Sequence, residues 1–561
     1  MTTTISLTPL PAPRPIPPMV YGHFLEQAFF GNVEGGVFDE GSELSVQEDG
    51  PLRGCRADVI AACRELGLPV VRWPGGNFTS AYWWTDGTGP RDDRPRRLEL
   101  AWGSEESNRF GTPEFLAWCE AVGTEPYLAH SARSVDDAAR WVEYTNHTGD
   151  TTLTRQRAAD GVRDAAAVRY WGLGNEVYGR WQMGFRPVRE YTAAALEHAR
   201  FMQLASPVPL SFIAVGSDST AWTEAVVEDL GDVVDYVSLH LYGGSEHLVR
   251  PTPEEFDAVV AQAVFFEEEI QRCSHVIREA QSRAGSTRPL AIALDEWNMR
   301  HHEPSSWPEP LPGEDGGIAD RPLAPHDGDL SADGTVTAHR VDRYSPRTLA
   351  DALFYAGVFH VIHRTSQLPV PVGMANTVNL VNANGLLAVR PGGVVRATTY
   401  HVWDLYQNHT GPLPVPAEVS GPARTTAVRQ GERHLDGGFL TRPATVAALD
   451  VSASTSEDGR TLFVVVINRS ATEDLPATLD LAGGPLPPQA RLRTLGAHVA
   501  DLFAVNSLSA PDTVTLTPYQ EVELVDGSWT FAAHSVSLLR FELPSPVRSS
   551  AAPVATGGVS R

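Results

Sequence analysis

Cysteine, positive charge and long apolar runs are all scarce in this chain of 561 residues. Its four cysteines (Cys55, Cys63, Cys119 and Cys273) have neither the spacing of a disulfide framework nor the CxxC spacing of a metal site. Cys63 and Cys119 fall on apolar helical faces, so we expect reduced thiols in the core. No apolar run approaches the roughly 18 residues of a membrane-spanning helix, and no signal-peptide core precedes the first strand. These absences predict a cytoplasmic protein with no membrane partner.

The charge balance argues against a nucleic-acid partner. The chain has 44 Lys and Arg against 69 Asp and Glu, a formal net charge of −25, whereas phosphate backbones are bound by clustered cations. The one arginine-dense stretch, RDDRPRR at 91–97, is interleaved with Asp92 and Asp93. This pattern is typical of a solvated or salt-bridged loop.

Several motifs of other enzyme classes are absent: the sequence has no GxGxxG, no P-loop, no HExxH and no GxSxG nucleophile elbow. The adjacent pair His301 and His302 is the best candidate for metal binding. It has no partner at metal-ligand spacing, and a polar loop pair is the simpler interpretation. The sequence therefore predicts neither a cofactor nor a metal.

A repeating strand–helix pattern begins after residue 18. The first clear unit is an amphipathic helix over Ala57–Leu66, closed by Gly67 and followed by a strand. Further amphipathic helices over 191–204 and 349–364 separate later strands. The strand-like runs are 69–73, 125–129, 167–172, 209–215, 234–241, 289–296 and 368–374. About eight such units predict an α/β fold, a (β/α)₈ TIM barrel with a parallel sheet covered by helices.

The pattern changes near residue 400, where period-2 apolar segments and turns rich in Pro and Gly indicate an antiparallel β-sandwich. The segment 302–346, rich in Pro, Gly and Asp, is expected to be a functional lid or a disordered insertion. The predicted domains are an extended N-terminal segment (1–18), the catalytic barrel (19–400), the sandwich (401–545) and a disordered tail (546–561). The N-terminal segment either stays separate or adds a strand to the sandwich.

Two glutamates lie where a barrel of this kind carries its chemistry, at the C-terminal ends of strands. Glu176 ends the stretch VRYWGLGNE, and Glu296 is the penultimate residue of LAIALDEW. A salt bridge at the barrel rim would explain one such carboxylate. Two of them, surrounded by polar and aromatic residues at other strand ends, favour an active site. These neighbours are Trp73, Asn77, Asn175, His240, Tyr242 and Trp297.

A pair of carboxylates suits the hydrolysis of an acetal. One protonates the leaving oxygen, and the other attacks the anomeric carbon or activates water there. Aromatic and amide side chains bind the faces and hydroxyls of sugars. The sequence therefore predicts a glycoside hydrolase.

The motifs together resemble glycoside hydrolase family 51, the α-L-arabinofuranosidases. The similarity extends from about residue 20 to 410 and is most specific in RWPGGNF, GLGNE and DEWN, which occur in this order. Other matching stretches are YGHFLEQ, RPRRLELAW, NRFGTPEFLAWCEAVGTEPY, DYVSLHLY and, more weakly, MANTVNLVN and TTYHVWDLY.

The resemblance implies a barrel with Glu176 as acid/base after strand 4 and Glu296 as nucleophile after strand 7. The implied reaction is exo-acting release of terminal α-L-arabinofuranosyl residues from arabinose-containing oligosaccharides such as arabinan, with retention by double displacement. A homo-oligomer, either a trimer or a hexamer assembled from trimers, is also implied. The implied sugar pocket comprises Glu26, Asn77, Trp102, Asn175 and Tyr242, with Asn175 holding the 2-hydroxyl.

Three positions and one stretch depart from the family pattern. Gln27 replaces the usual His after FLE, Asn379 replaces a Gln expected to touch the furanose, and Arg300 replaces a frequent aromatic after the nucleophile. Residues 129–135 (AHSARSV) replace a usual Asn-x-Gly-Thr-rich loop. The departures leave the reaction type intact and leave glycone and aglycone preference open.

Three alternatives remain at this point. The first is another furanosidase, such as a β-D-galactofuranosidase. The second keeps the fold but acts on pyranosides, as a β-xylosidase or an endo-glucanase. The third, a catalytically silent carbohydrate-binding protein, is disfavoured because both carboxylates are present.

Overall fold

The structure is a computed structural model that describes residues 3–248, 250–304, 328–330, 336–342, 345–433 and 439–547. The tail predicted to be disordered lies almost entirely outside these residues, as does most of the predicted lid or insertion between 302 and 346. Within the described ranges, no helix combines the length and apolar character needed to cross a membrane.

Eight parallel strands close into a barrel, which confirms the predicted fold. The ring closes where barrel strand 8 pairs with barrel strand 1 (Thr377 opposite His23) and where strand 7 pairs with strand 6 (Glu296 opposite His240). In chain order, barrel strands 1 to 8 are Gly22–Phe24, Val70–Trp73, Glu125–His130, Tyr170–Leu173, Ser211–Ala214, Tyr236–Ser245, Ala291–Pro304 and Val372–Thr377.

The barrel strands are apolar because both of their faces are covered. All four residues of barrel strand 2 are buried, for example. The interior of the barrel is packed with side chains from neighbouring strands rather than open. This interior cluster comprises Val70, Tyr127, Tyr170, Ile213, Ala293 and Met374.

The helices form a layer around the barrel and fill the connections between its strands. Local sequence signals fix several of their ends: Ser134 accepts a hydrogen bond from the backbone of Asp137, and Gly67 ends the first helix at a φ of +78°. In chain order the helices are Ala57–Leu66, Thr112–Val122, Val135–Asn146, Thr152–Ala159, Val188–Ala205, Thr220–Leu230, Pro253–Ala261, Ala263–Ala284, Leu349–Thr365 and Thr398–His409.

A β-sandwich follows the barrel. Its four-stranded sheet has the order Ala417–Ser420, Thr3–Leu7, Leu475–Leu481 and Ser528–Phe531. Its six-stranded sheet has the order Leu413–Val415, Leu449–Thr455, Thr461–Asn468, Ser535–Glu542, Gln489–Leu495 and Gln520–Glu523. The first strand of the chain therefore lies in the middle of a sheet that the C-terminal part of the chain completes.

The boundary predicted between residues 400 and 401 needs correction, because it falls inside the helix Thr398–His409. This helix packs against Leu349–Thr365 and belongs to the barrel layer. The hairpin Ala423–Arg433 with Phe439–Ala447 also departs from the predicted sandwich, since it pairs with barrel strand 6 through Gln430 and Gly243. The apolar pattern after residue 400 predicted strands in general but could not show which sheet a given strand joins.

Candidate active site

Glu176 and Glu296 come from opposite sides of the barrel and meet at its C-terminal end. Glu176 follows barrel strand 4 in a turn with a φ of +42°, and Glu296 lies in barrel strand 7. Both side chains are largely buried. An oxygen of Glu176, a ring nitrogen of His240 and an oxygen of Glu296 all lie within 4.8 Å of one another. The two carboxylates can therefore act on the same atom of a bound molecule.

Arg72 of barrel strand 2 holds this arrangement together and was not identified from the sequence. Its buried guanidinium donates to Glu296 Oε1 at 2.8 Å and to Asn175 Oδ1 at 2.6 Å. It also donates to the backbone oxygen of Asp295 at 3.0 Å. The available signal was a single charged residue within the apolar run VVRW, because an unpaired buried charge is costly.

Tyr242, predicted to line the site, fixes the second oxygen of the Glu296 carboxylate. Its hydroxyl donates to Glu296 Oε2 at 2.7 Å. With Arg72 on one oxygen and Tyr242 on the other, the carboxylate has a single orientation. The guanidinium of Arg300 lies over the Tyr242 ring, 3.9 Å from its centroid, which places this departure from the family pattern next to a residue that binds Glu296.

Glu176 is surrounded by hydrogen-bond donors. Its Oε1 lies 2.8 Å from Nδ1 of His240. Its Oε2 accepts from Trp181 Nε1 at 3.3 Å and from Gln182 Nε2 at 3.4 Å. Burial raises the pKa of Glu176, but the hydrogen bond and charge of His240, with the charge of Arg300, outweigh it and lower that pKa to about 2.

His240 connects Glu176 to a second buried carboxylate, Asp295. Its Nε2 lies 3.3 Å from Asp295 Oδ1, and Tyr127 donates to Asp295 Oδ2 at 2.8 Å. Burial lowers the pKa of His240, but the charge of Glu296 and the hydrogen bonds to Asp295 and Glu176 raise it to about 10. The 2.8 Å contact and the opposite directions of these two pKa shifts indicate that Glu176 and His240 share one proton, which favours the histidine. A proton donor for a leaving group is thus held one hydrogen bond away from Glu176.

Glu26 and Trp102, both predicted to bind substrate, meet at one wall of the site. Glu26 Oε1 accepts from the backbone of Phe78 at 3.0 Å and from Trp102 Nε1 at 3.2 Å. Burial raises the pKa of Glu26 to about 8, and the charge of Glu296 acts in the same direction. Glu26 is therefore largely protonated at neutral pH and can donate to a sugar hydroxyl.

Two predicted amides retain unused hydrogen-bonding atoms. Asn175 Nδ2 is buried and has no partner among the described residues, while its Oδ1 is held by Arg72. The amide is therefore oriented with a free donor. Asn379 donates to the backbone oxygen of Ala383 at 3.1 Å, and its Oδ1 has no partner in the described part of the chain. The third predicted amide, Asn77, differs in that its Oδ1 accepts a hydrogen bond from Gln182.

The prediction that Trp297 lines the sugar pocket is wrong. Its side chain is completely buried in the helix layer. It stacks on Trp403 with ring centroids 5.6 Å apart and packs against Tyr355 at 5.0 Å. Successive side chains of a strand point to opposite faces, so Glu296 in the barrel mouth directs its neighbour outward.

A second buried group carries metal-ligand atoms. His247, His301 and Asp351 place one such atom each within 4.8 Å of one another. His301 is therefore not part of a polar loop: its Nε2 lies 2.9 Å from Asp351 Oδ1. Nη1 of Arg347 approaches the same nitrogen at 3.0 Å and lies 3.5 Å from Asp351 Oδ1. The cluster is thus a hydrogen-bonded ion pair, while the side chain of His302 lies outside the described residues.

The barrel and its site together define a class of protein. Two carboxylates within 4.8 Å face the C-terminal end of a closed parallel barrel. One shares a proton with a histidine, and the other is fixed by an arginine and a tyrosine. Acid-assisted attack at an anomeric carbon requires these two groups. The protein is a glycoside hydrolase.

Comparisons with known proteins narrow this class. An α-L-arabinofuranosidase 1 domain matches residues 62–259, and an α-L-arabinofuranosidase C-terminal domain matches residues 295–537. The chain is 32% identical over 547 residues to α-L-arabinofuranosidase C of Emericella nidulans, across 94% of this chain and 95% of the relative. It is also 32% identical over 552 residues to an intracellular exo-α-(1→5)-L-arabinofuranosidase of Streptomyces lividans, across 96% of this chain and 74% of the relative.

Comparison with solved structures indicates the same family as these relatives. The fold matches the GH51 α-L-arabinofuranosidase of Thermotoga petrophila RKU-1 with a TM-score of 0.79 at 31% identity, across 96% of this chain and 100% of that chain. The chain belongs to the α-L-arabinofuranosidases of glycoside hydrolase family 51. The family resemblance drawn from the motifs is confirmed.

Proposed function

We propose that this chain is a retaining, exo-acting α-L-arabinofuranosidase with Glu296 as nucleophile and Glu176 as acid/base. The observation that carries the proposal is the close approach of the two side chains: an oxygen of Glu176 lies within 4.8 Å of an oxygen of Glu296. Retaining enzymes keep the two carboxyl groups about 5–5.5 Å apart, whereas inverting enzymes leave about 6.5–9.5 Å for a water molecule. The short separation supports double displacement.

In the first step, Glu296 attacks the anomeric carbon and forms a glycosyl ester as the bond to the leaving oxygen breaks. Glu176 protonates that oxygen. The proton is the one that Glu176 shares with His240 across their 2.8 Å contact. Water then attacks the ester, Glu176 takes its proton, and Glu296 departs as a carboxylate. Arg72 and Tyr242 bind both oxygens of Glu296 and stabilise the charge that returns to it.

Substrate recognition is proposed to use the unpaired donors of the site. Asn175 Nδ2 is proposed to donate to the 2-hydroxyl of the glycone; its lack of a partner among the described residues, and the hydrogen bond from Arg72 to the other end of the amide, support this role. A hydrogen bond there strengthens as positive charge develops on the sugar ring. Protonated Glu26, Trp102 and Asn77 would complete the pocket for a terminal furanose. Furanoside-containing oligosaccharides are the proposed substrates, and the Streptomyces relative is named for exo action on α-(1→5) linkages.

A cytoplasmic location and a homo-oligomeric state, a trimer or hexamer, are also proposed. All four cysteines are buried and unpaired, as expected in a reducing compartment. One relative is named as intracellular. Light scattering coupled to size-exclusion chromatography would measure the assembly, and a monomeric mass at micromolar concentration would contradict the oligomer.

A panel of nitrophenyl α-L-arabinofuranoside, β-D-galactofuranoside, β-D-xylopyranoside and β-D-glucopyranoside tests the reaction and glycone. We expect the α-L-arabinofuranoside to give the highest kcat/KM. Proton NMR during hydrolysis should show the α-anomer of the released sugar forming first, as retention requires. Glu296→Gln serves as the control, because it preserves side-chain size but removes the nucleophile. A β-anomer as first product would contradict retention, and a preferred pyranoside would contradict the substrate class.

A further inference from the structure

A second cavity lies at the opposite end of the barrel from the catalytic pair. It has a volume of about 400 Å³ and is formed by residues at the N-terminal ends of barrel strands 4 to 8 and by neighbouring helices and the N-terminal segment. Ligand pockets commonly measure about 300–1,000 Å³. The cavity is therefore large enough for a small ligand, and the proposed hydrolysis makes no use of it.

Most of the charged residues that line this cavity are arginines. Four arginines line the cavity: Arg14, Arg169, Arg278 and Arg288. Asp235 is the single carboxylate among the lining residues, and it pairs with Arg288 at 2.6 Å. The lining thus has an excess of three positive charges in a chain whose net charge is −25. The sequence contains no lysine, so every such cation is a planar guanidinium.

Neighbouring groups orient some of these guanidinium groups while leaving donors unused. Arg169 donates from Nε to Ser211 Oγ at 3.3 Å and lies over the Tyr170 ring, 5.5 Å from its centroid. Arg288 donates from Nε to the backbone oxygen of Val234 at 2.9 Å. In the described part of the chain, no carboxylate lies within salt-bridge distance of Arg169.

Like charges that share one cavity repel each other, and a bound anion removes that cost. Guanidinium groups match the geometry of phosphate oxygens through paired N–H donors. The cavity also contains the hydroxyl groups of Thr287 and Tyr236, which can donate to further oxygens, whereas Ser286 Oγ already donates to Asp232 Oδ1 at 2.7 Å. A single phosphate group would fill only part of about 400 Å³.

We propose that this cavity binds a small phosphate-bearing anion with two or more linked charged groups. The cavity is separate from Glu176 and Glu296, because its lining comes from the starts of barrel strands and from neighbouring segments, whereas Glu176 follows barrel strand 4 and Glu296 lies five residues into barrel strand 7. The proposal therefore stands or falls separately from the proposed hydrolase activity.

Inorganic pyrophosphate is the probe, titrated by calorimetry against the full-length protein at low ionic strength. We expect one site per chain and an affinity that falls as salt is added. The combined variant Arg169→Gln with Arg278→Gln should weaken binding at least tenfold. Hydrolysis of nitrophenyl α-L-arabinofuranoside should be unchanged in the same preparation, which also shows that the variant is folded.

Arg155→Gln is the matched control, because Arg155 is an exposed arginine paired with Asp150 away from the cavity. It should bind pyrophosphate like the unmodified protein. Binding of sulfate, glucuronate and ADP is measured in the same way. Sulfate and glucuronate show whether the site prefers phosphate to other anions, and ADP shows whether it prefers a nucleotide to free pyrophosphate. Absence of pyrophosphate binding, equal binding by the double variant, or tighter binding of glucuronate would each overturn the proposal.

Discussion

Replacement of Asp295 by Asn tests whether the buried carboxylate behind His240 controls the proton that Glu176 delivers. Asp295 Oδ1 lies 3.3 Å from His240 Nε2, on the side away from Glu176. Its negative charge raises the pKa of His240. Loss of that charge should lower the pKa of His240, so the proton shared with Glu176 should be lost at a lower pH.

The distance sets the size of the effect. Two unit charges 3.3 Å apart interact by about 5 kcal/mol at an effective dielectric constant of about 20, and by about 1.3 kcal/mol in water. These energies correspond to about 4 and about 1 pKa units. Arg72 Nε lies 3.7 Å from Asp295 Oδ2 and offsets part of the carboxylate charge. We therefore expect a downward shift of about 1–2 units.

The assay is the pH profile of kcat/KM, whose limbs report ionisations of the free enzyme. With a poor leaving group, which needs the proton, the alkaline limb of Asp295→Asn should lie about 1–2 pH units below that of the unmodified enzyme. A dinitrophenyl substrate departs without a proton and should show a smaller change.

Tyr127→Phe is the matched control, because it removes the hydrogen bond to Asp295 but leaves the charge. Its alkaline limb should move by less than about 0.5 unit. An unchanged or higher alkaline limb in a folded Asp295→Asn variant would refute this account of the shared proton.

Four further substitutions test the site and its surroundings. Glu296→Ala should abolish turnover, and azide should restore some of it with a glycosyl azide of inverted configuration; normal activity would exclude Glu296 as nucleophile. Glu176→Ala should lose most activity on poor leaving groups and least on activated ones, with azide giving the retained product; equal losses on both would contradict its acid role. Asn379→Gln should raise the kcat/KM preference for nitrophenyl α-L-arabinofuranoside over β-D-galactofuranoside by about three- to tenfold, and an unchanged ratio would show that residue 379 does not contact the glycone. Trp297→Ala should lower the free energy of unfolding in urea by about 3–5 kcal/mol, and full stability would contradict its buried position.

Local sequence patterns were sufficient for the barrel and for the two carboxylates. Strands and helices alternate visibly, and Glu176 and Glu296 are conspicuous because each ends an apolar stretch. The shortest barrel strand, Gly22–Phe24, was missed as a strand because three residues cannot display a period. The outward position of Trp297 could have been predicted, because side chains alternate along a strand and Glu296 was already assigned to the site.

Contacts between distant strands could not be read from one sequence. Arg72 bonds to Glu296, which is 224 positions away, and to Asn175, which is 103 positions away. His301 meets Asp351 after a segment of 50 positions. No local periodicity encodes such pairings, since they depend on the order in which strands close the barrel.

The central position of Thr3–Leu7 has a consequence for the order of folding. This strand pairs with Leu475–Leu481, so during synthesis it waits for roughly 470 further residues, which takes about 25–95 s at about 5–20 residues per second. Its other neighbour, Ala417–Ser420, is also made late. The barrel can therefore be complete while its first strand remains an unpaired β-segment open to wrong partners. A nascent chain released before about residue 481 should carry a folded barrel beside an aggregation-prone N-terminus, with the sandwich as the last part to form.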